Sequence, residues 1–187
     1  GRKEPGLRRI DPDGQGRKGR LEWRETRRIG EADRTERKAR FRNRDRGTAM
    51  ILYLETSNLV KLYVQEKDSG EIVKLISDAE AVATSIIAYA EARAAFARKL
   101  REKGISDDDH KRIKNDLDRD WQNLFVIKLS EAIVRSAGDL AEKCSLRGFD
   151  ALHLASALEL KKAVPLPVQF SSSDARLGES ARKEGLR

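Results

Sequence analysis

Residues 51–57, Ile-Leu-Tyr-Leu-Glu-Thr-Ser, constrain the fold more than any other stretch of the chain. Four apolar or aromatic residues run unbroken into one carboxylate and two hydroxyl residues, and a helical mix of apolar and polar residues follows to Val64. A short continuous apolar run with a polar boundary reads as a strand buried on both faces, as in parallel sheets. Glu55 then stands at the carboxyl end of a central strand, the edge where open α/β sheets place their sites.

The rest of the chain repeats this alternation. Further strands are expected at 81–84, 125–129 and 168–170, the last preceded by Pro165 and Pro167. Helices are expected at 56–65, 68–79, 85–103, 107–124, 131–146 and 150–163, with a terminal one opened by Asp174. Asp68 or Ser69, Ser106 and Ser130 are the expected N-caps, Gly104 the expected stop of the long helix, and Asp107, Asp108 and Asp109 suit the positive end of theirs. Strands alternating with helices predict an α/β fold: a mainly parallel sheet of about four to five short strands, flanked by helices as α/β/α. The sequence has no glycine-rich phosphate loop and no Cys/His set with zinc spacing, which excludes P-loop, Rossmann and zinc-finger readings.

Charge divides the chain into two parts. Charged residues make up 37% and the net charge is +8. Residues 1–49 hold 17 Lys and Arg against 9 Asp and Glu; subtracted from totals of 39 and 31, that leaves 22 against 22 from Met50 onward. The whole basic excess lies in the first 49 residues, which contain only four Leu or Ile and no Val. Such a segment cannot bury enough apolar surface to offset the entropy of ordering it, and a helix over 22–42 is its best candidate for structure. It reads either as a phosphate-binding basic arm or as sequence upstream of a natural start at Met50, the only methionine. A DNA-binding function would rest on this arm alone. Residues 50–187 suffice for one ordinary core. One cysteine, Cys144, fits a reducing compartment, and no apolar run approaches the ~20 residues of a membrane span. A soluble, cytoplasmic protein with no membrane partner is expected.

Four carboxylates stand in unusual company. Glu91 is the only charge between Ala81 and Ala92, where the chain is apolar on every side and therefore expected to be buried. Asp150 is the sole charge between Arg147 and Glu159, and Asp174 follows Ser171, Ser172 and Ser173 directly after the last strand. Each has a plain structural reading: Glu91 as a partner of Arg98, Asp150 and Asp174 as N-caps. Together with Glu55 they occupy strand ends and helix starts that can converge on one cleft. Two like charges at ~4 Å repel by ~4 kcal/mol at an effective dielectric of ~20, so such a cluster must raise its pKa values or bind a cation. Oxygen ligands of this kind suit Mg²⁺ or Mn²⁺, and the expected reaction is metal-assisted phosphodiester hydrolysis.

These stretches resemble PIN-domain proteins, in particular VapC-type toxins of toxin–antitoxin pairs. Met-Ile-Leu-Tyr-Leu-Glu-Thr-Ser-Asn-Leu-Val-Lys-Leu-Tyr is similar to their opening, and Ser-Ile-Ile-Ala-Tyr-Ala-Glu-Ala-Arg-Ala-Ala-Phe to their second motif. Arg-Gly-Phe-Asp-Ala-Leu-His-Leu-Ala-Ser-Ala-Leu resembles the third closely, and Phe-Ser-Ser-Ser-Asp-Ala-Arg-Leu the fourth. The resemblance spans 50–186 and leaves out 1–49. It implies a PIN-like fold and a Mg²⁺- or Mn²⁺-dependent endoribonuclease, usually a homodimer, inhibited by a cognate VapB-like antitoxin. By motif position Glu55, Glu91, Asp150 and Asp174 form the acidic, metal-holding set, with Ser57 and more weakly Thr56 in support. The family's first acid is usually Asp. Glu55 is longer by roughly 1.5 Å, whereas productive geometry tolerates about 0.5 Å; a catalytically weak module that binds RNA or its antitoxin without cleaving is therefore the alternative.

Other residues admit two readings each. His153 follows Asp150 by one turn on the same helix face and is either a packed histidine under the site or a helper beside it. Arg93, Arg98 and Lys99 could hold RNA phosphates or be a solvated face. His110 is expected in solvent, Trp121 over the core or a dimer face, and Cys144 as an inert small residue.

Overall fold

The structure is a computed structural model that describes residues 49–66 and 68–187; the expectations for 1–48 lie outside them. Among these residues four strands, β1 (Ile51–Leu54), β2 (Ala81–Ser85), β3 (Phe125–Ile127) and β4 (Val168–Ser171), form one sheet in the order β3-β2-β1-β4. Every neighbouring pair is parallel, as the alternation of elements requires. Leu52, Tyr53 and Leu54 are wholly buried, so β1 is the sheet's central, two-sided strand. In register, Leu54 lies against Ser171 and Tyr53 against Ala83, which brings the carboxyl ends of β1, β2 and β4 to one level. At the outer edge of β4, Arg187 donates to the Val168 carbonyl and accepts from the Phe170 N–H, so that edge is not left unpaired.

Among the described residues seven helices connect and flank the strands: α1 (Thr56–Val60), α2 (Ser69–Asp78), α3 (Ile87–Arg101), α4 (Asp107–Trp121), α5 (Glu131–Cys144), α6 (Gly148–Ala163) and α7 (Ala175–Lys183). Alternate residues of β1 serve opposite faces. Ile51 and Tyr53 join Ala83, Ile127 and the apolar faces of α5, α6 and α7 in one core. Leu52 and Leu54 point to the other face, where Leu59, Phe96, Ile113 and Leu117 of α1, α3 and α4 are buried. The result is a helix/sheet/helix sandwich.

Several boundaries differ from expectation for identifiable reasons. α1 stops at Val60 and turns follow, although the apolar spacing continues to Val64. Asp68 occupies the N-cap position of α2 but, at φ 68°, makes no capping bond; Ser69 instead accepts from the Glu66 N–H and donates to the Lys61 carbonyl. α3 ends at Arg101, two residues short of the expected Lys103, and Lys103, at φ 57°, takes the left-handed position assigned to Gly104. The start of α3 is not buried all round: Ala88 and Ala92 are buried, whereas Ile86 is 43% exposed. Ser106 and Ser130 cap α4 and α5 as expected, accepting from the N–H groups of Asp109 and Ile133.

Leu154 is fully buried between the sheet and α5. Leu154→Ala should lower unfolding free energy by about 2–5 kcal/mol, read as a shift of the urea midpoint at unchanged slope.

Candidate active site

The site forms where β1 hands over to α1. Glu55 follows Leu54 in extended conformation, and its N–H is fixed by the Ser171 carbonyl at 3.0 Å. Its side chain folds back as the N-cap of α1. Oε2 accepts from the Ser57 N–H at 3.1 Å, from the Ser57 hydroxyl and from the Ser172 hydroxyl at 2.9 Å. Only 8% of Glu55 is exposed, so these donors replace the water that burial removes. The same lacing ties the β1–α1 turn to the β4–α7 turn. The Ser173 N–H donates to Ser57 Oγ at 2.9 Å, Ser173 Oγ donates to Asn58 Oδ1, and Asn58 Nδ2 donates to Ser171 Oγ.

Glu91 reaches the cleft from α3. Its Oε2 accepts from Thr56 Oγ1 at 2.6 Å and lies 2.9 Å from His153 Nε2 on α6. His153 Nδ1 lies 3.0 Å from the Tyr53 hydroxyl. Burial alone would raise the Glu91 carboxyl, but the hydrogen bonds from His153 and Thr56 hold it below the usual carboxylate range. Its partner is therefore not Arg98, which instead faces Glu102 at 4.0 Å.

Asp150 is the third residue of α6, whose N-cap position is Arg147, so it is not a plain cap. It is half-buried, and its carboxyl is raised by burial first, then by the charges of Glu55 and Asp174, against a smaller lowering by Arg147. Those two causes connect three of the four expected acids electrostatically. Asp174 is exposed and does cap α7, accepting from the Leu177 N–H at 2.9 Å. The donor set therefore fits a hard divalent cation in ligand type and in charge. In spacing it does not: among the described residues no three acidic, histidine or cysteine side chains stand close enough to hold one ion together.

A groove of about 750 Å³ opens over Glu55, Thr56, Ser57 and Glu91. Lys61, Arg98 and Arg101 also line it, as does Lys99, which is paired with Glu66 at 2.5 Å. Of the cations expected from sequence, Arg98 and Lys99 are there. Arg93 is not, being stacked over the Tyr89 ring at 5.6 Å with its Nη1 donating to the Tyr89 hydroxyl. Trp121 packs edge-on against Tyr89. Sequence reasoning missed Lys61, Arg101, Tyr53 and the Ser172–Ser173–Asn58 lacing. The run of three serines after β4 was the one visible signal for the last of these.

The fold is a parallel α/β sandwich in which Glu55 and Asp174 follow the carboxyl ends of β1 and β4 and act on the Asp150 carboxyl. The PIN domain family matches residues 52–177, and the chain belongs to that family. Its likeness is to VapC-type members: it is 34% identical over 112 residues to ribonuclease VapC45 of Mycobacterium tuberculosis strain CDC 1551 / Oshkosh, covering 58% of this chain and 75% of the relative. Ribonuclease VapC49 of strain ATCC 25618 / H37Rv matches with the same values. Among solved structures, FitAcB from Neisseria gonorrhoeae shares the fold at a TM-score of 0.50 and 17% identity, covering 71% of this chain and 94% of that one. The expected PIN-like α/β fold and VapC-type resemblance are thereby established. No helix among the described residues is long and apolar enough to cross a membrane.

The raised Asp150 carboxyl carries a sign. A folded state that holds the proton more tightly than the unfolded chain is destabilised by ionisation, so the penalty is absent below the unfolded value near 3.8 and complete above the folded one. Without divalent ions, Asp150→Asn should melt higher than wild type at pH 7, and the difference should vanish as pH falls towards 3.8. Scanning calorimetry across pH checks this.

Proposed function

We propose that the chain is a metal-dependent endoribonuclease acting as the toxin of a toxin–antitoxin pair, with residues 50–187 as the nuclease domain. The observation that carries this reading is that the charges of Glu55 and Asp174 both bear on the Asp150 carboxyl, with Glu55 lining a groove, in a PIN-family chain related to proteins named ribonucleases. Glu55, Asp150 and Asp174, too far apart as they stand to grip one ion directly, would hold Mg²⁺ or Mn²⁺ partly through its retained waters, with Glu91 completing the acidic set. The bound ion would supply Lewis acidity at the phosphate and an activated water.

The chain's own residues have distinct tasks. The serine hydroxyls hold Glu55 in place and offer oxygens beside it. Glu91 adds a further carboxylate to the groove wall, brought there by α3. Lys61, Arg98 and Arg101 flank these acids, which suits a polyanion whose phosphate must be drawn towards a negatively charged cleft. RNA as substrate, a cognate VapB-like antitoxin, a homodimer and a cytoplasmic setting complete the proposal.

One observation favours a second reading, a module that binds RNA or its antitoxin and cleaves poorly. Glu55 Oε2 already accepts three donors, so engaging an ion through that oxygen requires rearrangement. Cleavage assays separate the two readings. Wild type with Mg²⁺ or Mn²⁺ should cut RNA, and a chelator should stop it. Asp150→Asn should cut slower by more than the ~10–100-fold typical of losing a supporting group. RNA bound without cleavage in either metal would favour the second reading, and cleavage unchanged in Asp150→Asn would remove the site.

A further inference from the structure

Beneath the acids lies a hydrogen-bonded chain that the reaction as described uses only at its last atom: Tyr53 OH, His153, then Glu91 with Thr56. Its members come from β1, α6, α3 and α1. Tyr53 and His153 are 0% and 1% exposed, and Thr56 is buried as well. A lone histidine in such a position commonly just fills space; this one has both ring nitrogens engaged.

The donors and acceptors can be assigned by elimination. Thr56 gives its only proton to Glu91 Oε2 at 2.6 Å, so its oxygen has lone pairs left to offer. An ionised carboxylate only accepts. His153 Nε2 therefore faces two acceptors, Glu91 Oε2 and Thr56 Oγ1, each at 2.9 Å. It must carry the hydrogen. In the neutral ring Nδ1 then accepts, and the Tyr53 hydroxyl, 3.0 Å away, is the donor that reaches it.

We infer that His153 is a positioning residue for Glu91: Tyr53 holds its ring as the tautomer protonated on Nε2, and that N–H, with Thr56, pins one carboxylate oxygen so that the other faces the groove. The identity of the tautomer matters because the reverse form would set a lone pair against the carboxylate. Second-neighbour partners of this kind orient ligating or reacting groups, and their loss commonly costs ~10–100-fold. The inference rests on the endoribonuclease reading for its effect on rate, though not for the geometry itself.

The test joins a spectroscopic readout to a pair of matched substitutions. The chain holds two histidines, so ¹⁵N-labelled imidazole spectra separate His153 from His110 directly. Wild type should show a protonated Nε2 and an unprotonated Nδ1 on His153, and Tyr53→Phe should lose that single-tautomer pattern. A glutamine amide reaches the place of Nε2, whereas an asparagine amide reaches only that of Nδ1. His153→Gln should therefore retain kcat within about 5-fold, and His153→Asn should lose ~10–100-fold in kcat with KM little changed. A merely structural histidine would respond alike to both, and thermal unfolding of each variant confirms that folded protein is compared.

A proton found on Nδ1 in wild type, on both nitrogens, or equal rates for the Gln and Asn variants would overturn the inference. If wild type cleaves no RNA in either metal, the endoribonuclease reading fails, while the ring signature and its loss in Tyr53→Phe still decide whether His153 is held as described.

Discussion

The structure depends on a single strand that has no solvent face. Leu52, Tyr53 and Leu54 are fully enclosed, and β1 pairs in parallel with both β2 and β4. Its backbone groups are committed to both neighbours, so the strand can neither slip nor shorten without exposing a ladder. Whatever follows Leu54 is delivered to one fixed place. The delivery is reinforced where the strand ends: Thr84 donates to the Leu54 carbonyl at 2.7 Å, and the Ser171 carbonyl receives the Glu55 N–H. Rigid delivery is what a site of converging charges needs, because side chains that repel one another will separate unless the backbone denies them room.

The four acids meet that constraint in different ways. Glu55 and Glu91, the more enclosed pair, are held by donors on one oxygen each: serine groups for the first, Thr56 and His153 for the second. Asp174 spends Oδ1 on capping its helix. Asp150 has the least local compensation, and its carboxyl is raised by burial and by its neighbours. The groove sets Lys61, Arg98 and Arg101 on the same walls as Glu55 and Glu91, so both signs of charge line it. A polyanion is attracted by the first set and repelled by the second unless a cation intervenes. This electrostatic layout, more than any single distance, connects the fold to the proposed chemistry.

The frame of this arrangement was legible in the sequence because it follows from short-range patterns. The apolar run of β1, the serine caps and the isolation of Glu91 and Asp150 among apolar residues each reflect burial that composition alone records. What escaped was what depends on partners distant in sequence. Tyr53 and His153 are 100 residues apart, and no periodicity joins them. Arg93 and Arg98 look equivalent on paper, yet Tyr89 and Asp118 hold the first away from the groove. The shortened α1 and the left-handed Lys103 show the same limit locally: apolar spacing sets which face is buried, while the neighbouring elements decide where the helix stops.

Glu55 shows how an unexpected residue can be accommodated rather than merely tolerated. Aspartate is a favoured N-cap and glutamate is not, since the extra methylene carries the carboxyl past the helix's first N–H groups. Here that length, roughly 1.5 Å, is taken up by folding the side chain back over α1, and the carboxyl meets Ser57 and Ser172 where the longer arm ends. Ser172 comes from the turn after β4, so the accommodation draws the two turns together across the sheet edge, and Ser173 with Asn58 repeats the link. The substitution and the serines therefore form one unit. Shortening the acid without altering the serines would leave Ser172 without its acceptor, and removing the serines would leave a buried carboxylate without its donors. The geometry of this corner is set by both together.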